Sequence, residues 1–167
     1  MKSLKISLFL LFIFGSVCAQ DLIVKDLTVE HKRNPVGIDI AQPRLSWKIV
    51  GTGNNIMQSA YSLRVATDPK FAAKKIVWQT DRKTSEESVL VPYGGHPLIP
   101  GQRYYWQVKV WDNKGRESKW SETAYWELGL ITPADWKANW IEMAGDTNRY
   151  SPSPHFRKEF SIDKTVI

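Results

Sequence analysis

The run RYYWQVKVW, residues 103–111, constrains this chain more than any other stretch. Tyr104, Trp106, Val108 and Val110 fall at every second position, with Tyr105, Gln107, Lys109 and Trp111 between them. Successive side chains on a strand point to opposite faces, so this period buries one face and leaves the other amphipathic. A helix cannot use such a pattern. The sequence supplies six further candidate strands, at residues 22–30, 44–50, 60–67, 76–80, 88–93 and 123–129. Short strands separated by turn signals at this spacing predict an all-β sandwich.

The same alternation assigns inward faces elsewhere. Leu45, Trp47 and Ile49 share one face of the second run, and Tyr61, Leu63 and Val65 one face of the third. The breakers between strands are turn formers: Gly51 to Asn55, Asp68-Pro69, Gly94 to Pro97, Pro100-Gly101 and Asp112 to Gly115. Residues 68–75 have room for one helical turn. The face carrying Tyr105, Gln107, Lys109 and Trp111 is too aromatic for plain solvent and is expected to be covered.

The ends read differently. Lys2 and Lys5 precede an apolar run from Ile6 to Phe14 and the small residues Val17, Cys18 and Ala19. This is the pattern of a secretory signal peptide, residues 1–19, cut after Ala19, and it makes the protein exported. The apolar run falls short of the about 20 residues a membrane span needs. Val17 and Gly15 are not the residues a lipoprotein signal places around its cysteine. Cys18 is the single cysteine of the chain, so the processed protein holds no disulfide and depends on its hydrophobic core. The sandwich is expected to occupy residues 20–130. Residues 131–154, with Pro133, Pro152 and Pro154, read as a linker. Residues 155–167 alternate again and read as the first strand of a second, incomplete β-sandwich.

The sequence offers little for chemistry. The formal charge is +6, from 23 basic and 17 acidic residues, and loss of Lys2 and Lys5 with the leader reduces it. The basic residues are scattered, so a nucleic-acid surface has no support. His31, His96 and His155 lie far apart without zinc-like spacing. No glycine-rich phosphate loop is present. Glu86 and Glu87 are adjacent, which on a strand sends them to opposite faces rather than across one glycosidic bond. Asp112 sits where an Asp caps turn amides. No catalytic residue, metal site or cofactor is expected.

Leu98, Pro100, Tyr104, Val108 and Val110 together read as a sandwich corner: the Pro-Gly turn reverses the chain, Leu98 plugs the core, and the Tyr104 hydroxyl reaches a backbone group upstream. This resembles the fibronectin type III pattern, as do Trp47 on the second strand and Ser118-Lys-Trp-Ser121 before the last. Residues 34–47, 60–67, 98–122, 126–130 and 135–141 taken together resemble the N-terminal region of bacterial α-L-rhamnosidases of glycoside hydrolase family 78. Residues 151–160 resemble the first strand of the β-sandwich that comes next there. The resemblance implies an immunoglobulin-like, fibronectin type III sandwich at the head of an enzyme. That enzyme hydrolyses terminal α-L-rhamnose with inversion in a downstream (α/α)6 barrel. The family's catalytic acid and base match no position here. The expected role is a non-catalytic accessory domain, with downstream domains of the same polypeptide as partners. A carbohydrate-binding module contacting rhamnose-containing glycan, or a protein-interaction module, are the alternatives.

Two groups of residues carry these expectations. Trp47, Tyr61, Leu98, Pro100, Tyr104, Trp106 and Val108 are expected in the core and its corner, with Trp126 beside them. Tyr105, Trp111, Trp120, Trp136 and Trp140 are candidates for interdomain or sugar contact, with Arg64 and Lys109 on the same covered face.

Overall fold

The alternating run forms the longest strand among the described residues, β7, Arg103–Asp112, in which every second residue from Tyr104 is buried. The computed structural model describes residues 22–141 and 155–161. The other strands are β1 (Leu22–Val29), β2 (Arg44–Gly51), β3 (Gln58–Ala66), β4 (Ile76–Gln79), β5 (Lys83–Thr84), β6 (Val91–Pro92) and β8 (Ala124–Glu127). They make two sheets. One has the order β1-β2-β6; the other runs β4-β3-β7-β8, with β5 also pairing β3. All the ladders are antiparallel.

Register explains why the core is shared between the sheets. Between β3 and β7, Tyr61 faces Val110, Leu63 faces Val108 and Val65 faces Trp106. Each pair is buried together with Leu45 and Trp47 of the opposite sheet. Fully burying a large apolar side chain contributes roughly 1.5–3 kcal/mol, so this single shared layer dominates the stability of the sandwich. The aromatics interlock edge to face, Trp47 on Tyr61 at 5.2 Å and Trp78 on Tyr93 at 5.0 Å, whereas Tyr104 stacks on Trp126 at 5.6 Å.

All seven expected strands are present. The fifth is shorter than residues 88–93, because Ser88 bonds Trp47 through its carbonyl and only Val91 and Pro92 enter the ladder with β2. β5, two residues long, is not legible in the sequence: Lys83-Thr84 carries no alternation and is defined only by pairing with Ala60 and Tyr61. Residues 73–75 form one 3-10 turn within the expected helical segment. In β1 the register shifts between Lys25 and Thr28, and Asp26 takes a positive φ of 54°. This bulge bends an edge strand.

The chain divides into two units, Met1–Asp135 and Trp136–Ile167. The first therefore runs past residue 130, because Asp135 accepts hydrogen bonds from the amides of Ile131 and Thr132 and holds the 3-10 turn Pro133–Asp135. In the second unit the described residues, 136–141 and 155–161, form no strand. Residues 155–161 have the alternation of a strand, but alternation alone supplies no hydrogen-bond partner. The signal-peptide segment, and residues 162–167 of the expected second-domain strand, lie outside the described residues.

Candidate functional site

The outward face of the larger sheet is where the aromatic candidates gather. Lys109 on β7 has its ammonium 5.1 Å from the Trp111 ring centre and 5.3 Å from that of Trp120. Arg64 on β3 places its guanidinium 4.3 Å from the Trp120 ring and 4.5 Å from the Phe71 ring. Arg82 lies 5.0 Å from Trp111. The result is an alternating series of cations and rings from Phe71 to Arg82, in which charge is attracted to the electron-rich ring faces.

Hydrogen bonds fix this series. Glu117 accepts from Lys109 Nζ at 2.6 Å and from Trp111 Nε1 at 3.1 Å. The hydrogen bond from Lys109 holds the Glu117 carboxyl below its ordinary range. Arg64 Nε donates to Gln107 at 2.9 Å, and Gln107 donates to the Ser121 carbonyl at 3.0 Å. Burial lowers the Arg64 guanidinium from its ordinary value. Tyr105 meets Tyr125 at 6.3 Å with the ring planes 58° apart, and Arg103 covers Tyr125 at 4.6 Å.

On this face the side chains of the domain pack on one another. Tyr105, Trp111 and Trp120 are half-buried. Phe71 carries no signal in the sequence: it stands in a loop with φ of 53°, and only the fold brings it under Arg64. Trp136 and Trp140 belong to the second unit and are exposed.

The corner residues lie where the alternation puts them. Trp47, Tyr61, Tyr104, Trp106, Val108 and Trp126 are buried, and Leu98 packs partly buried against them. The Ile99 amide donates to the Tyr104 hydroxyl at 2.7 Å. Pro100 precedes Gly101, whose φ of +72° favours glycine. One polar core contact has no counterpart among the expectations: the Trp47 indole donates to Gln58 at 2.8 Å, and Gln58 donates to the carbonyls of Ser85 and Glu87. Burial raises the Tyr93 phenol to about 12, with Tyr104 adding to the effect.

At one end of the sandwich, glycines bring three backbone segments together. Gly129 donates its amide to Ile38 at 2.7 Å and Gly101 donates to Leu128 at 2.8 Å. A Cβ on Gly129 would stand 3.1 Å from the Gly37 carbonyl oxygen, so the two backbones meet at glycine for lack of room. Beside this junction is a depression of about 470 Å³ lined by Tyr93, Pro97, Leu98, Pro100, Leu128 and Ile131 among others. A larger groove of about 790 Å³ runs along the open side of the sandwich between β1 and residues 117–124, with Trp120 in its wall.

Among the described residues no group of three or more His, Cys, Asp or Glu is placed to hold a metal. Glu86 and Glu87 are exposed in a loop. Burial pushes the Asp112 carboxyl up, but hydrogen bonds from the Arg116 and Lys114 amides and the Arg116 guanidinium outweigh it and leave it below its ordinary value. The two amide bonds are 2.8 and 2.9 Å long. Asp112 is thus a turn cap. Among the described residues no helix is long and apolar enough to cross a membrane.

Comparison with known proteins adds what geometry alone does not. Residues 24–132 match the family model described as the Rha78A-like, N-terminal immunoglobulin domain. An α-L-rhamnosidase of Streptomyces avermitilis is 44% identical over 114 residues, which is 68% of this chain and 11% of that protein. One from Formosa agariphila is 36% identical over 155 residues, covering 87% of this chain and 16% of its own length. The crystal structure of the Streptomyces avermitilis enzyme complexed with L-rhamnose superposes with a TM-score of 0.69 at 43% identity, over 72% of this chain and 12% of that one. The α-L-rhamnosidase structure from Dictyoglumus thermophilum gives 0.67 at 35% identity, over 72% and 14%. The chain thus spans a small part of the length of each of these relatives.

Proposed function

This chain belongs to the Rha78A-like N-terminal immunoglobulin domains, and we propose that it is the non-catalytic supporting domain of an exported α-L-rhamnosidase. The observation that carries the reading is that residues 24–132 match the N-terminal immunoglobulin domain of the family, and the structure ends that domain in a built turn: the amide of Gly129 bonds Ile38, and Asp135 caps Ile131 and Thr132. The self-paired aromatic face agrees with this. Trp111 and Trp120 already interact with Lys109, Arg64 and Arg82, so a sugar stacking there would have to displace cations. The leader of residues 1–19 supplies export.

The test is hydrolysis of an aryl α-L-rhamnoside by the 167-residue chain and, in parallel, by the full-length gene product. Activity confined to the longer protein is the expected result. Activity of the 167-residue chain itself would overturn the supporting role, and no activity in either would overturn the enzyme class.

A further inference from the structure

We propose that the exit end of the sandwich is a docking face for a later domain of the same polypeptide, an inference that rests on reading the chain as the leading part of a longer rhamnosidase. Four apolar side chains are exposed at this end. Val36 is 62% exposed, Ile40 37%, Ile99 65% and Leu130 47%. They come from three segments that the backbone ties together: Glu127 donates to Pro35, Gly37 and Ile38 donate to Glu127, Gly101 donates to Leu128, and Gly129 donates to Ile38. The four side chains therefore share one end of the fold.

A bare apolar cluster of this kind on a folded domain marks a contact surface. Three observations select its occupant. The depression of about 470 Å³ opens at this end, and Pro97, Leu98, Pro100 and Ile131 in its lining offer an apolar socket. The chain leaves the sandwich through the same place, so all of the polypeptide that follows, including any domain beyond residue 167, is tethered near it. The α-L-rhamnosidases it resembles devote only 11–16% of their length to the matching region, which leaves several domains' worth of polypeptide to be seated. The occupant is a domain of that polypeptide beyond residue 167, presenting an apolar, charge-poor face of the kind found at the centre of interfaces. Ile23, 53% exposed on β1, lies at the other end, since it pairs with Val50 whereas the exit end holds Arg44, Arg103 and Glu127.

The experiment places single cysteines at Ile99→Cys, Leu130→Cys and Ile23→Cys, with every native cysteine replaced by serine. Maleimide labelling rates are measured in the full-length gene product and in the 167-residue chain. Thiol labelling follows exposure, so docking predicts rates at 99 and 130 slowed about tenfold or more in the longer protein and unchanged at 23. Equal rates in the two proteins at 99 and 130, or equal slowing at 23, would overturn the proposal. So would slow labelling at 99 in the 167-residue chain that depends on its concentration, because the occupant would then be a second copy. Rhamnoside hydrolysis is assayed on the same full-length variants: if it is absent while 99 and 130 stay protected, the enzyme class fails and the docking face stands.

Discussion

Tyr104 does two things from one position. Its ring stacks on Trp126 within the core, and its hydroxyl accepts the Ile99 amide at 2.7 Å, closing the corner before β7. Tyr104→Phe keeps the ring and strands the amide, so it should cost about 1–3 kcal/mol, the penalty for a donor left without a partner. Urea unfolding of wild type and variant measures this. Acidic residues provide a second expectation. The hydrogen bond from Arg44 holds Glu30 below its ordinary range, that from Lys109 does the same for Glu117, and Asp112 is lowered despite its burial. Each of these groups binds fewer protons folded than unfolded. Their contribution to stability is complete above the ordinary carboxylate range and disappears as pH falls through the lower folded values. Unfolding free energy should therefore decline from about pH 5 downward, and Arg44→Met, which removes the partner of Glu30, should make that decline shallower. Residue roles of this local kind are legible in the sequence: Tyr104 and Asp112 stand at fixed offsets from turns. Gln58 is not, because its partners Trp47, Ser85 and Glu87 are joined only by the tertiary fold.

At the level of elements, β7 organises both its neighbours and its own edge. Beyond the end of β8, which pairs only Arg103 to Trp106, the strand is capped by the segment 117–121. Ser118 Oγ accepts the Val110 amide at 3.0 Å and Ser121 Oγ accepts the Val108 amide at 3.1 Å, while the amides of Ser118 and Ser121 bond back to the same two residues. Two hydroxyls thus replace the missing strand and blunt an exposed edge, a position where unpaired amides invite association. Replacing both, Ser118→Ala with Ser121→Ala, should accelerate hydrogen exchange at Val108 and Val110 and leave Leu63 and Val65, inside the sheet, unchanged. Amide exchange followed by NMR checks it. The seven main strands can be seen in advance because period-two alternation is a local property. β5 and the cation–aromatic series cannot: Lys83-Thr84 has no pattern of its own, and Phe71, Arg64 and Trp120 come from separate parts of the chain. The two serines are visible as a motif, yet their use as surrogate acceptors depends on where β8 stops.

For the whole molecule, the two sides of the sandwich have different fates. The outer face of the larger sheet satisfies itself, with Lys109, Arg64 and Arg82 set among the rings of Trp111, Trp120 and Phe71. The exit end leaves Ile99 and Leu130 exposed beside the hydrogen-bonded segments 37–38, 101 and 127–129. This arrangement agrees with the supporting role proposed above, in which the domain stabilises a downstream neighbour. The most direct measurement is deletion of residues 22–135 from the full-length gene product, comparing kcat/KM for an aryl α-L-rhamnoside with the half-life of activity at raised temperature. A supporting domain predicts a shorter half-life with kcat/KM retained under conditions where the truncated protein stays folded. A collapse of kcat/KM in that folded, truncated protein would contradict the account, since the sandwich would then take part in handling the substrate.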